Sequence, residues 1–353
     1  MDPEQISAGE MNSGYFNSQL INFIIGWLPS ILFLLMTYNL VKFITELDCD
    51  LSLKYCEIFH NTESGDSKFL RRTMCYKLPD KVVWITGASS GIGEHLALEL
   101  AKQGYNLVLS GRDLSRLIQV KINCVTKSDL LDEEVMVVPF DVKDIHKHQT
   151  LFDEIIAYFG KVNIFVNNAG RSQRALFETI DIEVDRDIFE NNVFGGLNLS
   201  RILTRHWLKQ KASGHIVVTS SIVGKTALPN CSSYTASKHA LHGYYEGLRM
   251  ESFDEKLKVT MVCSGPVKTG IIQNSYSSLP GETLGTDLPD NSSRMSPRRH
   301  AILMRLAIEN QLEEVWITKN PFLIFCYFNQ YFPTLSKRYL LNFARFLSAA
   351  RDK

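Results

Sequence analysis

The sequence predicts an α/β fold, a parallel sheet with helices on both faces. Three observations predict it. Short apolar runs alternate with longer helical segments between residues 80 and 320, the pattern of successive βαβ units. The runs are almost continuously apolar, as strands covered on both faces are. The first run opens directly into a glycine-rich turn, TGASSGIG at 86–93, and then into a helical segment.

The elements follow in order. KVVWIT (81–86) reads as a strand, IGEHLALELAKQG (92–104) as a helix stopped by Gly104, and YNLVLS (105–110) as a second strand. DLSRLIQVKINCV (113–125) is a helix with Asp113 as its cap, and EEVMVVPF (133–140) a third strand. A helix at 147–159 and the strand VNIFVNN (162–168) come next. A long helix at about 186–209, the strand HIVVTS (215–220), a helix at about 230–254 and the strand LKVTMVC (257–263) continue the alternation. Ser296 and Pro297 open a further helix, and EEVWIT (313–318) ends the series. Residues 271–296, rich in Ser, Gly, Pro, Asn and Asp, interrupt it. The segment reads as a lid or binding loop, with a plain surface loop as the alternative.

Both ends carry more apolar chain than a globular domain needs. No charge occurs between Glu10 and Lys42, and that gap holds LINFIIGWLPSILFLLMTYNLV (20–41). A run of roughly 20 apolar residues is long enough to cross a bilayer, so residues 20–44 are expected to form a membrane anchor behind a tail at 1–19. A cleaved leader would need a basic start, and the segment before the run has only acids. A surface-lying helix would need a charged face, which the run lacks. Lys42 and Lys54 follow it and no Lys or Arg precedes it. Positive-inside counting therefore turns the large domain to the cytosol. Residues 45–79 are polar and mixed and read as a linking arm. PFLIFCYFNQYFPTL (321–335), within a final segment at 321–353, is too apolar for a free tail. Docking on the domain is the first expectation for it. Covering the substrate site or lying in the membrane interface are the others.

Composition narrows the function classes. Thirty-eight Lys and Arg balance thirty-eight Asp and Glu in 353 residues, and no basic stripe marks a nucleic-acid face. The seven cysteines are scattered, without zinc-ligand spacing. They read as buried free thiols, with Cys49 and Cys56 near enough in sequence for a weak alternative pairing. No metal is expected.

Chemistry is concentrated in three places. Gly87, Gly91 and Gly93 fall between a strand and a helix, where glycine lets the backbone approach a phosphate and the helix N-terminus favours its charge. The second strand ends in Ser110, Gly111 and Arg112. A carboxylate there would accept from an adenosine ribose, whereas an arginine pairs with a 2′-phosphate. The expected cofactor is therefore NADP(H). Asp141 and Val142 follow the third strand and are placed to meet an adenine. Tyr234 and Lys238, in YTASKHA, are four apart and share one helix face. A cation beside a phenol stabilises the phenolate and fits it for proton transfer.

TGASSGIG, NNAG (167–170) and YTASK together resemble the short-chain dehydrogenase/reductase family, over residues 80–320 and in the family's order. The resemblance implies a Rossmann-like, doubly wound fold with a seven-stranded parallel sheet. It implies a catalytic serine thirteen positions before the tyrosine, Ser221, and a catalytic asparagine in Asn-x-x-Gly, Asn192 with Gly195. Tyr234 would be the general acid and base. Lys238 would lower its pKa and hold the nicotinamide ribose. Ser221 would stabilise charge on the substrate oxygen, and Asn192 would orient a water joining Lys238 to solvent. The implied cofactor contacts are Gly87, Ser89, Ser90, Gly91, Ile92 and Gly93 in the first turn, and Arg112, Asp141 and Val142 beyond it. Asn168, Ala169 and Gly170, then Tyr234 and Lys238, and then Gly265, Val267 and Thr269 complete the set. Ser264 stands where the family usually has proline. SQR (172–174) and LEEVWITKNPFLI (312–324) further resemble a membrane-bound branch of the family. That branch implies the endoplasmic reticulum membrane and a lipophilic carbonyl or alcohol substrate, retinoid or steroid. A 3-ketoacyl or 3-keto-sphingoid reductase is the alternative enzyme, and a catalytically silent NADP(H)-binding sensor or scaffold the alternative of another class. Family members are commonly dimers or tetramers through two long helices, so a homodimer is a further expectation.

Overall fold

The computed structural model describes residues 30, 33–59, 81–252, 256–286 and 294–349. The chain divides into two units, residues 1–47 and 48–353. In the first, residues 33–46 form a helix (α1) whose side chains are all exposed. Most of the expected anchor, 20–29 and 31–32, lies outside the described residues. Among the described residues no helix is long and apolar enough to cross a membrane.

The second unit is built on a seven-stranded parallel sheet: β1 (Val82–Thr86), β2 (Asn106–Gly111), β3 (Val135–Pro139), β4 (Ile164–Asn167), β5 (Gly214–Ser221), β6 (Leu257–Ser264) and β7 (Glu314–Ile317). Its order is β3-β2-β1-β4-β5-β6-β7. The chain winds outward from β1 in one direction, then returns and winds outward in the other. Ligands bind at the carboxyl ends of the strands where the direction reverses, and here that point lies between β1 and β4.

Helices cover both faces. Alternate residues of β1 show it: Val83 and Ile85 face a core with Leu96 and Leu100 of α3 (Gly91–Ala101) and Leu117 of α4 (Leu114–Thr126). Val82 and Trp84 face a second core with Phe152 of α5 (His148–Phe159). Asp113 caps α4 by accepting from the Arg116 amide at 3.1 Å. The long helix expected near 186–209 is present as an unbroken helical run from 182 to 210 with a π turn inside it. α6 (Ile182–Phe189) passes through a π-helical turn at Glu190–Phe194 into α7 (Gly195–Gln210). α7 and α8 (Ser232–Glu251) supply Leu203, Trp207, Leu241 and Tyr245 to the second core. α9 (Pro297–Glu309) is capped by the Ser296 hydroxyl, which accepts from the Arg299 amide at 3.2 Å.

Within the segment read as an arm, residues 51–59 form a helix, α2, with Cys49 and Leu53 buried in the first core. Asp50 fixes its start, accepting from Ser52 and Leu53 amides at 2.9 and 3.1 Å and from the Trp316 amide of β7 at 2.6 Å. Arg299 of α9 reaches both Asp48 and Glu57. Cys49 and Cys56 are free thiols, so the weak pairing is not formed. The apolar C-terminal run folds into α10 (Phe322–Tyr331) and leads into α11 (Pro333–Ala349). α10 docks on the domain: Leu323 and Cys326 are buried, and Cys326 packs on Ile222 and Val223.

Candidate active site

The first turn has the backbone its sequence demands. Gly87 and Gly91 have φ of +64° and +61°, a region open to glycine. A Cβ on Gly93 would lie 2.3 Å from the Gly87 carbonyl oxygen, so the helix can start this close to the strand only as glycine. The first turn of α3 leaves its amides unpaired within the helix. Ser90 stands at the N-cap, extended and exposed, and its side chain makes no capping bond. The turn is therefore a cradle of donors at a helix N-terminus, suited to a pyrophosphate, and Ser89 and Ile92 flank it half-buried.

The second loop is tied to the first by side chains. Asn168 donates from Nδ2 to the Thr86 and Gly87 carbonyls at 3.0 and 3.3 Å. The Thr86 hydroxyl accepts from the amides of Asn168 and Ala169, each at 3.1 Å. Asn167 turns elsewhere, its side-chain amide donating to the Tyr245 hydroxyl at 3.0 Å, beneath the sheet ends. Gly195 lets α7 approach Val142, whose carbonyl would be 2.3 Å from a Cβ there. Beyond β6, a Cβ on Gly265 would strike the Thr318 hydroxyl, and one on Gly91 would touch the Thr269 methyl at 3.1 Å. Thr269 and the first glycine turn thus face each other, with Val267 buried behind.

At the adenine end, the Ser110 hydroxyl is taken by the Trp84 indole at 2.9 Å. Arg112 is largely exposed and 3.9 Å from Asp141. A Cβ on Gly111 would be 3.3 Å from the Ser89 hydroxyl, so Ser89 and the approach to Arg112 share one corner. Asp141 accepts from the Lys143 amide at 3.0 Å, which holds its loop.

Tyr234 and Lys238 lie on one face of α8, with the Lys238 ammonium 5.6 Å from the centre of the Tyr234 ring. Lys238 is buried, donates to the Thr219 carbonyl at 2.8 Å, and burial lowers its pKa to about 8. Burial also raises the Tyr234 pKa, and a hydrogen bond with Ser221 opposes the rise. The two serines of TSSIVG are distinguished by their partners. Ser220 is buried and bonds to His242 Nε2 at 3.0 Å, in a network that Glu314 and Lys225 complete. Ser221 reaches Tyr234 and donates to the Ser264 carbonyl at 3.1 Å.

Asn192 sits in the π turn, a distortion that is frequent at functional sites. Its Oδ1 accepts from the Arg171 amide at 2.8 Å and the Asn191 side chain at 3.0 Å. Its Nδ2 donates to the Arg171 carbonyl at 2.9 Å and the Ser237 hydroxyl at 3.0 Å. That fills the amide's donors and lone pairs. The side chain therefore clamps the loop after Gly170 to α8. A Cβ on Gly170 would lie 3.5 Å from both Asn192 Oδ1 and Lys238 Nζ, which places these groups around one point.

Sequence reasoning missed the pair behind Ser264. His300 is fully buried and its Nε2 lies 2.9 Å from the Ser264 hydroxyl. The signal was the departure from proline at 264: a serine hydroxyl buried there needs a partner.

Comparison with known proteins agrees with this geometry. Residues 81–279 match the family model described as short chain dehydrogenase. The chain is 37% identical over 302 residues to human "Dehydrogenase/reductase SDR family member 7", covering 85% of each chain. It is 38% identical over 199 residues to Xenopus laevis "Dehydrogenase/reductase SDR family member 7B", covering 56% of this chain and 61% of that one. A short chain dehydrogenase/reductase from Burkholderia phymatum, solved in complex with NAD, superposes with a TM-score of 0.63 at 25% identity, over 74% of this chain and 96% of that one. An alcohol dehydrogenase from Thermococcus sibiricus, complexed with 5-hydroxy-NADP, shares the fold with a TM-score of 0.58 at 24% identity, over 68% and 97%.

Proposed function

The chain belongs to the short-chain dehydrogenase/reductase family, and on that premise we propose that it interconverts a carbonyl and an alcohol on a lipophilic substrate with NADP(H). The observation that carries the reading is the convergence of Ser221, Tyr234 and a buried Lys238 at the carboxyl ends of the strands. The bound nicotinamide supplies or accepts the hydride. Everything else falls to side chains. Ser221 and Tyr234 bind the substrate oxygen, and Tyr234 gives it a proton in reduction or removes one in oxidation. The Lys238 cation stabilises the phenolate left behind. Asn192 keeps the loop around Arg171 fixed, so that Gly170 and Lys238 stay in register.

The preference for NADP(H) rests on Arg112. β2 ends in glycine where a ribose-binding carboxylate would stand, and the exposed guanidinium beside Ser89 suits a phosphate. The lipophilic substrate rests on the similarity to the member 7 relatives and on the apolar α10 beside Tyr234, where Phe322 and Cys326 join the same cluster. A membrane location, with an anchor at residues 20–44 and the domain on the cytosolic side of the endoplasmic reticulum, rests on the uncharged N-terminal run. A second copy packing against α7 and α8 rests on the family's habit of pairing through its long helices.

The test is consumption of NADPH and of NADH by purified protein against retinal, ketosteroids and long-chain 3-keto compounds, with Arg112→Ala beside the parent. NADPH should be consumed faster than NADH. Arg112→Ala should weaken NADPH by roughly tenfold and leave NADH unchanged. Faster use of NADH contradicts the cofactor assignment. Cofactor binding without turnover on the whole panel favours a silent sensor.

A further inference from the structure

Gln173 lies in SQR, three residues past Gly170. Its side chain is fully buried, and neither Oε1 nor Nε2 has a hydrogen-bond partner among the described residues. The neighbouring Ser172 hydroxyl is in the same state. Native proteins rarely leave both ends of a buried amide unmade, because each end gave up water to be there. A ligand that brings the missing partners is the ordinary reason for such a group at a functional site.

The backbone around Gln173 runs beside the loop that enters the Tyr234 helix. It pairs with Tyr276 in an isolated parallel bridge, and the amides of Arg174 and Tyr276 bond across to the Tyr276 and Ser172 carbonyls at 2.8 and 2.9 Å. The Ala175 amide bonds to the Asn230 carbonyl at 3.1 Å, in the loop that enters the Tyr234 helix. Residues 172–175 are thus a wall running from the second loop to the mouth of α8. The Arg174 charge acts on the Tyr234 phenol, which fits that placement.

We infer that Gln173 is a specificity-determining residue that binds a hydroxyl group carried by the substrate close to its reacting carbonyl. The inference rests on the carbonyl–alcohol reading above. An amide presents one strong acceptor and two donors. A hydroxyl donates and accepts, so it can satisfy Oε1 and Nε2 together or in turn. A plain hydrocarbon flank would leave both unmade. The favoured substrates are hydroxyketones and hydroxyaldehydes, or the corresponding diols in the oxidative direction, on an otherwise lipophilic frame.

The experiment uses the full chain with NADPH and matched pairs of ketones that differ only in a hydroxyl next to the carbonyl. It compares the parent with Gln173→Met, which removes the polar atoms at similar volume, and Gln173→Glu, which removes the donors. The parent should prefer the hydroxylated partner in kcat/KM by on the order of 10²-fold. Gln173→Met should lose that preference and keep its rate on the deoxy ketone. Its melting temperature without substrate should rise, since an unmade amide has been removed. If Gln173→Met does not fold, Gln173→Glu gives the same reading through a reduced preference. Equal use of both partners by the parent overturns the inference and leaves the carbonyl reading standing. So does a variant that slows both partners alike, or one whose preference is unchanged. Failure of the parent on every pair overturns the carbonyl reading and this inference with it.

Discussion

Lys238 holds a buried ammonium that donates to the Thr219 carbonyl and lies 5.6 Å from the centre of the Tyr234 ring, and burial lowers its pKa from 10.5 to about 8. The folded protein therefore binds that proton less readily than the unfolded chain. Stability rises as pH climbs from about 8 to 10.5, and the cost of burying the cation stands in full below pH 8. The shift corresponds to about 3 kcal/mol, and the bond to Thr219 returns about 1 kcal/mol. Lys238→Met should accordingly stabilise the domain by roughly 2 kcal/mol at neutral pH in urea unfolding, while abolishing reduction. A destabilised Lys238→Met would show that the cation is better satisfied than its one bond implies. Because the Lys238 cation helps hold the phenolate and the neutral amine does not, kcat/KM for reduction should fall as pH passes about 8. Residues of this kind were legible from spacing: Tyr234, Lys238 and Ser221 meet as the motifs imply. The full engagement of the Asn192 amide and the unmade amide of Gln173 were not. Both depend on which backbone groups a loop presents, and one-dimensional spacing carries no information on that.

At the scale of elements, the turn between β1 and α3 is a tight backbone-to-backbone joint in the site. Gly93→Ala would put a methyl on the Gly87 carbonyl at 2.3 Å, and neither backbone has room to retreat without opening the cradle. Overpacking of this kind costs about 1–3 kcal/mol. Cofactor binding by titration should weaken at least tenfold, about 1.4 kcal/mol. Unchanged binding would remove the turn from the cofactor site. The strands were readable because each is a nearly unbroken apolar run between turn residues. The long helix near 186–209 was readable, but the π turn inside it was not. Its helical periodicity passes through Glu190–Phe194, and a π turn adds one residue per bond without leaving a breaker in the sequence. α2 was also missed as an element. Its short sequence owes its place to partners more than 240 residues away, such as Glu57 with Arg299 at 2.9 Å.

Over the whole molecule, α2 closes the β7 side of the sheet through charge as well as packing. The Arg299 hydrogen bond is the largest cause holding the Glu57 carboxyl at about 2, against an ordinary 4.5, and Lys54 adds to it. The stabilisation from that depressed pKa is complete above pH 4.5 and lost as pH falls toward 2. Arg299→Ala strands two half-buried carboxylates and should cost about 2–4 kcal/mol at pH 7, with the acid-unfolding midpoint moved upward. An unchanged midpoint would mean that α2 is held by the packing of Leu53 and Cys49 and by the Asp50 bond to the Trp316 amide. The seven parallel strands and the helices on both faces were implied by the alternation of elements and the family's motifs. The C-terminal run left three placements open, because apolar chain fits a core, a substrate site or a membrane equally well. The contacts of Leu323 and Cys326 decide for docking in α10.

The central claim is that Tyr234 transfers the proton. The most direct measurement is single-turnover oxidation of bound NADPH at saturating carbonyl substrate, in the parent and in Tyr234→Phe, with NADPH affinity measured on both. Affinity should fall by no more than about fivefold, one hydroxyl contact, and the rate by roughly 10²–10⁴-fold in the variant. A Tyr234→Phe protein that oxidises NADPH at the parent's rate would contradict it.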